Sequence, residues 1–102
     1  MEIQVTPFSI ESDKALYSIG QVADLLTVKQ AFLRRLDSEK VIEPVRSEGG
    51  QRRYSHTQIE LIQKVVSLTS EGFTLTGIRR LLELERQVLE LKSELNRLKK
   101  SQ

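Results

Sequence analysis

Arginine is the residue whose numbers and placing could do chemistry in this chain. Arg34 and Arg35 stand together, and Arg52 and Arg53 stand together just after Gly49-Gly50; Lys29, Gln30, Arg46 and His56 lie around them. A guanidinium presents a planar fork of donors that grips guanine O6 and N7, or a phosphate, through two bonds. Two such pairs on either side of a tight turn suit a polyanion. Residues 29–56 carry seven Lys and Arg against four Asp and Glu, a local net charge of +3, while the whole chain carries only +2. The first sixteen residues run the other way, at −2. The distribution of charge, and not its total, points to nucleic acid.

Other chemistries lack their parts. Cysteine is absent and histidine occurs once. That removes disulfides, thiolate metal sites and cysteine nucleophiles, and it fits a reducing cytoplasm. No nucleophile–base pair and no paired carboxylates in a Gly-rich pocket can be assembled, so no enzyme is expected. No catalytic residue, metal ligand or cofactor is assigned. No apolar run approaches the ~20 residues that span a bilayer, and no signal-peptide pattern opens the chain. The expected setting is cytoplasmic, nucleoid-associated, with no membrane partner. A chain of 102 residues holds one small domain plus an extension.

The elements that must position the arginines can be read in order. Residues 1–16 show no helical period and contain Pro7. They are taken as a flexible N-terminal arm, with packing on the domain or on a partner as the open alternative. Ser18 followed by Gln21 is a capping box, and Ile19, Val22, Ala23 and Leu26 recur behind it at helical spacing. Thr27 with Gln30 repeats the signature before Val28, Phe32, Leu33 and Leu36. Two short helices this close suit a helix-turn-helix, or an ordinary helical corner. Lys29, Gln30 and Arg34 then share a broad face away from the apolar stripe, with Arg35 beside them.

Val41, Ile42 and Val45 around Pro44 read as an extended connection. Ser47-Glu48-Gly49-Gly50 reads as a turn, and Gln51–Tyr54 as a returning strand. So small a hairpin must lean on the helices, as a wing does. Arg52, Arg53 and Tyr54 alternate across that strand, so at most two of them can face a nucleic acid. Tyr54 is left open between core and phosphate contact. His56 is a surface residue within reach of a phosphate. Ser55 with Gln58 caps a third helix, through Ile59, Ile62, Val65, Val66 and Thr69, which Gly72 ends. Thr74 caps a fourth. Arg79 and Arg80 in it are expected to pair with acids such as Glu83.

Leu81, Leu84, Val88, Leu91, Leu95 and Leu98 step by three and four alternately. That is a heptad seam, expected to pair with another helix. An antiparallel homodimer would layer Leu81 of one chain with Leu98 of the other, Leu84 with Leu95, and Val88 with Leu91, setting Glu85 near Lys92. A parallel pair would bring Arg80 near Glu85 and Glu94 near Lys99. Charge does not choose between them.

Taken together, YSIGQVADLL, FLRRLD, SEGGQRRYS and GFTLTGIRRLLEL resemble the MerR family of bacterial transcription regulators, over residues 17 to about 84. The resemblance implies a mainly α fold: a winged helix-turn-helix with a small β-hairpin wing and a C-terminal coiled-coil dimerisation helix. The expected division is 1–16 arm, 17–83 DNA-binding domain and 84–102 dimerisation helix. The resemblance also implies that Arg34 is the major-groove arginine, that Arg52, Arg53 and Tyr54 belong to the wing, and that the dimer is antiparallel. Where the family usually follows its arginine with two tyrosines, this chain has Arg35 and Leu36, and Lys29 stands where a capping serine is common. The chain looks like the short branch without a sensor domain, with the heat-shock repressors among the closer matches through GIRRLLELERQV.

The expected function is a sequence-specific DNA-binding transcriptional regulator, a homodimer on an inverted-repeat operator in double-stranded DNA, with a partner protein as a further regulator. Two alternatives use the same parts. One is an architectural or DNA-segregation protein with the same winged fold, and the other is a coiled-coil interaction adaptor.

Overall fold

Ser18, Ser55 and Thr74 each place a side-chain oxygen where the first amides of a helix need an acceptor, and a helix begins after each. The computed structural model describes residues 14–101. It runs β1 (Tyr17–Ser18), α1 (Ile19–Leu26), α2 (Gln30–Ser38), β2 (Val45–Arg46), β3 (Arg52–Tyr54), α3 (His56–Ser70) and α4 (Leu75–Lys100). Ser18 Oγ accepts from Gln21 N–H at 3.2 Å, and Ser18 N–H donates to Gln21 Oε1 at 2.8 Å. Ser55 and Gln58 repeat the exchange, both bonds at 3.1 Å. Thr74 Oγ1 accepts from Gly77 N–H at 3.0 Å. Amides that the helix itself leaves unpaired are satisfied in each case.

The capping box expected at Thr27 and Gln30 does not form. Thr27 adopts φ 56° and ψ 49° and closes α1, while α2 begins after Lys29, whose side chain makes no capping bond. Val28 N–H returns to Ala23 O at 3.0 Å, so Thr27 serves the helix behind it and Gln30 becomes the first helical residue. The Thr-x-x-Gln pattern was two residues out of phase with the real cap.

Strand β3 is the centre of the sheet. β2 pairs with it antiparallel as expected, with Arg46 opposite Arg52. The turn between them is closed by Gly50 N–H to Ser47 O (2.9 Å) and by Ser47 N–H to Gln51 O (2.8 Å), with Gly50 at φ 83°. A third strand was not foreseen: β1 pairs with the other edge of β3, Tyr17 opposite Tyr54. The arm expected over residues 1–16 lies outside the described residues as far as 13; at its end, Leu16 N–H donates to Tyr54 O at 3.0 Å and lengthens that edge.

The core is a single cluster drawn from every helix. Val22, Leu33, Leu36, Ile42, Tyr54, Ile62, Val65 and Ile78 are buried in it, with Ala23, Ile59 and Leu75. Gly72, at φ 100°, lets the chain reverse between α3 and α4, with Phe73 N–H closing on Leu68 O at 3.1 Å. Helix α4 then runs 26 residues without interruption, so the expected division at 83/84 falls inside one helix. Its first turns bury Leu75 and Ile78. Its later turns leave Leu84, Val88, Leu91, Leu95 and Leu98 between 42% and 68% exposed. On its outer surface Arg86 bridges Glu83 and Glu90, and the Arg86 hydrogen bond holds the Glu83 carboxyl below its ordinary range. Among the described residues no helix is long and apolar enough to cross a membrane.

Candidate nucleic-acid interface

Helix α2 is amphipathic because Leu33 and Leu36 are buried while the positions between them face outward. Lys29, Gln30 and Arg34 are all exposed. Gln30 Oε1 accepts from Arg34 Nη1 at 3.5 Å, so the two side chains lie side by side, one turn apart. This is a face that offers an amide and a guanidinium together, the groups that read adenine and guanine edges in a major groove. Arg35 is exposed too, but its Nε donates to Glu39 at 2.7 Å and turns the side chain along the helix.

The hairpin brings its arginines beside α2. Asp37, on α2, accepts from Arg52 Nε at 2.9 Å and from Arg46 Nη2 at 3.1 Å through the same oxygen, Oδ2. Arg46 Nη1 also donates to Gly50 O at 3.2 Å and braces the turn. Alternation along β3 sends Arg53 to the other side of the strand, where it donates to Gln51 Oε1 at 3.1 Å and to Arg52 O at 3.2 Å. Tyr54, left open by its sequence, is in the core: 1% of it is exposed, so its ring is not available to a phosphate in this arrangement. Its hydroxyl is buried with no hydrogen-bond partner, and burial pushes the phenol above its ordinary range. His56 begins α3; its Nε2 and Tyr17 Oη lie 2.8 Å apart with the rings edge to face, which ties β1 to the start of that helix.

So Lys29, Gln30 and Arg34 gather on one face, Arg46 and Arg52 gather at Asp37, and Arg53 and His56 stand apart from both. Asp37 was missed by its sequence. An acid beside two arginines reads as simple charge balance, and its partners lie nine and fifteen positions away. One expected pairing is corrected. Arg79 does not reach Glu83 but donates to the backbone oxygen of Glu39 at 3.1 Å, at the end of α2. Within the one chain, Glu85 accepts from Lys64 at 2.7 and 2.9 Å, a link between α3 and α4.

Residues 17–85 match the family model described as MerR HTH family regulatory protein. A Streptomyces coelicolor protein designated heat shock protein HspR is 39% identical over 88 residues, a match that takes in 85% of this chain and 58% of that protein. The chain thus spans little more than half the length of that relative. The transcriptional regulator GlnR of Bacillus cereus is 23% identical over 90 residues, covering 85% of this chain and 70% of GlnR. In fold, the chain is similar to the N-terminal part of MtaN, the Bacillus subtilis multidrug transporter activator (TM-score 0.62, 24% identity, 82% of this chain and 89% of that one). It is also similar to HiNmlR, a regulator lacking the sensor domain and solved bound to promoter DNA (TM-score 0.61, 22% identity, 81% and 84%).

Proposed function

The chain belongs to the MerR HTH family, and from that premise we propose that it is a transcription regulator that binds double-stranded DNA sequence-specifically, as a homodimer on an inverted repeat. The observation that carries the reading is the exposed Lys29–Gln30–Arg34 face of α2 standing next to a hairpin whose Arg46 and Arg52 are held to the same helix. In this reading α2 enters the major groove, where Arg34 and Gln30 meet base edges and Lys29 meets the backbone. The hairpin and the start of α3, through Arg46, Arg52, Arg53 and His56, meet flanking phosphates. Arg35 is a lesser contact that must first leave Glu39.

The dimer would form along Leu81, Leu84, Val88, Leu91, Leu95 and Leu98. What supports it is a stripe of large apolar side chains that one chain leaves in solvent, on a helix that continues past its own domain. An antiparallel arrangement relates two domains by a two-fold axis, and an inverted repeat mirrors that axis. Selection of bound fragments from the source genome tests both parts together. The expected product is a small set of sites that share an inverted repeat of fixed spacing. Recovery of no enriched sequence, or of single unpaired half-sites, would overturn the proposal.

A further inference from the structure

We propose that Asp37 is a positioning residue for DNA readout: its carboxylate fixes the hairpin at one distance from the base-reading face of α2. The inference rests on the DNA-binding reading above and adds to it a residue that carries the wrong charge for any direct contact. Arg46 and Arg52 stand opposite each other across the β2–β3 pair. Like charges in that relation repel, which would splay the hairpin. Asp37 Oδ2 lies between them at 3.1 and 2.9 Å and turns repulsion into a three-membered bridge. The bridge is sheltered on two of its members, since the side chains of Asp37 and Arg52 are only 17% and 23% exposed, while Arg46 is at 50%. Such a pair is less screened by salt than an open surface pair.

The connectivity matters more than the strength. Among the described residues, the side-chain hydrogen bonds that join α2 to the hairpin both end on this one carboxylate. Asp37 also lies one turn beyond Arg34 on the same helix. The carboxylate takes only the Nε–H of Arg52, so the terminal nitrogens of that guanidinium remain available to a phosphate, in the posture Asp37 sets. A phosphate contact and a base contact then arrive with fixed relative geometry, which a duplex of fixed rise rewards and a loose hairpin cannot supply.

The test exploits a conflict of signs. Removing a negative charge beside a DNA surface should, on electrostatics alone, tighten binding to every duplex. Positioning requires the reverse for the selected operator. Asp37→Asn should weaken operator binding about ten-fold, leave binding to a random duplex unchanged or slightly tighter, and so lower the ratio of the two about ten-fold or more. Asp37→Glu, which keeps the charge on a longer arm, should recover part of the ratio. In a combined-variant comparison, Asp37→Asn added to Arg46→Gln with Arg52→Gln should lose no more operator affinity than the two arginine substitutions alone, because Asp37 acts through those two arginines. This comparison also stands if the single Asn variant fails to fold, since the combined variant strands no charge on Arg46 or Arg52. Operator binding by Asp37→Asn equal to or tighter than the parent would overturn the proposal. So would equal losses on operator and random DNA, or a further ten-fold loss when Asp37→Asn is added to the two arginine substitutions. A parent chain that selects no sequence would instead sink the DNA-binding reading itself.

Discussion

Leu91 is the sharpest point at which to test the dimer. It leaves 68% of its surface in solvent and takes no part in the buried core. Burying a whole leucine is worth about 1.5–3 kcal/mol, so covering the part still exposed contributes about 1–2 kcal/mol. A two-fold interface contains the residue twice, which makes the loss on Leu91→Ala about 2–4 kcal/mol. The dimer dissociation constant should rise by about 30- to 700-fold, at 1.4 kcal/mol for each factor of ten. Leu91→Asp adds the desolvation of two carboxylates near the middle of the seam and should leave monomers at any working concentration. Sedimentation equilibrium reads the association, and thermal unfolding of the domain should not move, because Val22, Leu33, Leu36 and their neighbours are untouched. Operator affinity should fall towards that of one half-site. An Asp variant that sediments as a dimer, or a monomer that holds the full operator as tightly as the parent, would refute the reasoning.

Other substitutions test other parts. Arg34→Ala should cost about 1–3 kcal/mol and relax preference at one base pair of each half-site, whereas Arg53→Ala should weaken all sequences alike and lower the salt slope by about one; binding selections at two salt concentrations separate them. Tyr54→Phe removes a buried hydroxyl that has no partner and should be neutral or stabilising by about 1 kcal/mol in denaturant melts. Because burial raises the folded-state pKa of Tyr54, its unfolded form ionises first: the parent keeps its stability below about pH 10 and loses it above, and the Phe variant should lose less over that alkaline range. Thr27 sits at φ 56° with a β-branched side chain, so Thr27→Asn should raise stability by about 1 kcal/mol, read as a higher Tm.

What the sequence made legible were the features whose partners lie within one helical turn or one tight reversal. Ser18 with Gln21, Ser55 with Gln58, the Gly50 turn and the Gly72 stop all declare themselves through residues at most five apart. The stripe from Leu81 to Leu98 was equally plain, because a helix of constant pitch repeats its own pattern. Thr27 misled for the same reason that Ser18 did not. A three-residue spacing fits both a helix start and a helix end, and only the backbone's left-handed turn at Thr27 separates them. β1 has two residues, too few for an alternation to show. Asp37, the Arg79 bond to α2 and the Lys64–Glu85 link went unread because the partners come from other elements, at separations of 9 to 40 positions. Such bonds exist only once the fold has brought the elements together.

Helix α4 has one more property, which is mechanical. Its first turns are bonded into the domain through buried Leu75 and Ile78, through Arg79 to the end of α2, and through Lys64 to Glu85. The same uninterrupted rod carries the leucine stripe to its far end. It therefore acts as a beam clamped at the reading head, extending from Leu84 to Lys100 for about 25 Å at 1.5 Å per residue. Flexing that span by about ten degrees swings a head through roughly 4 Å, slightly more than the ~3.4 Å rise between adjacent base pairs. In the proposed dimer, the distance tolerated between two half-sites would then be set by the stiffness of the paired helices and not by any base contact. Their stiffness could be tuned at positions such as Glu90, which lies off the Leu81–Leu98 stripe.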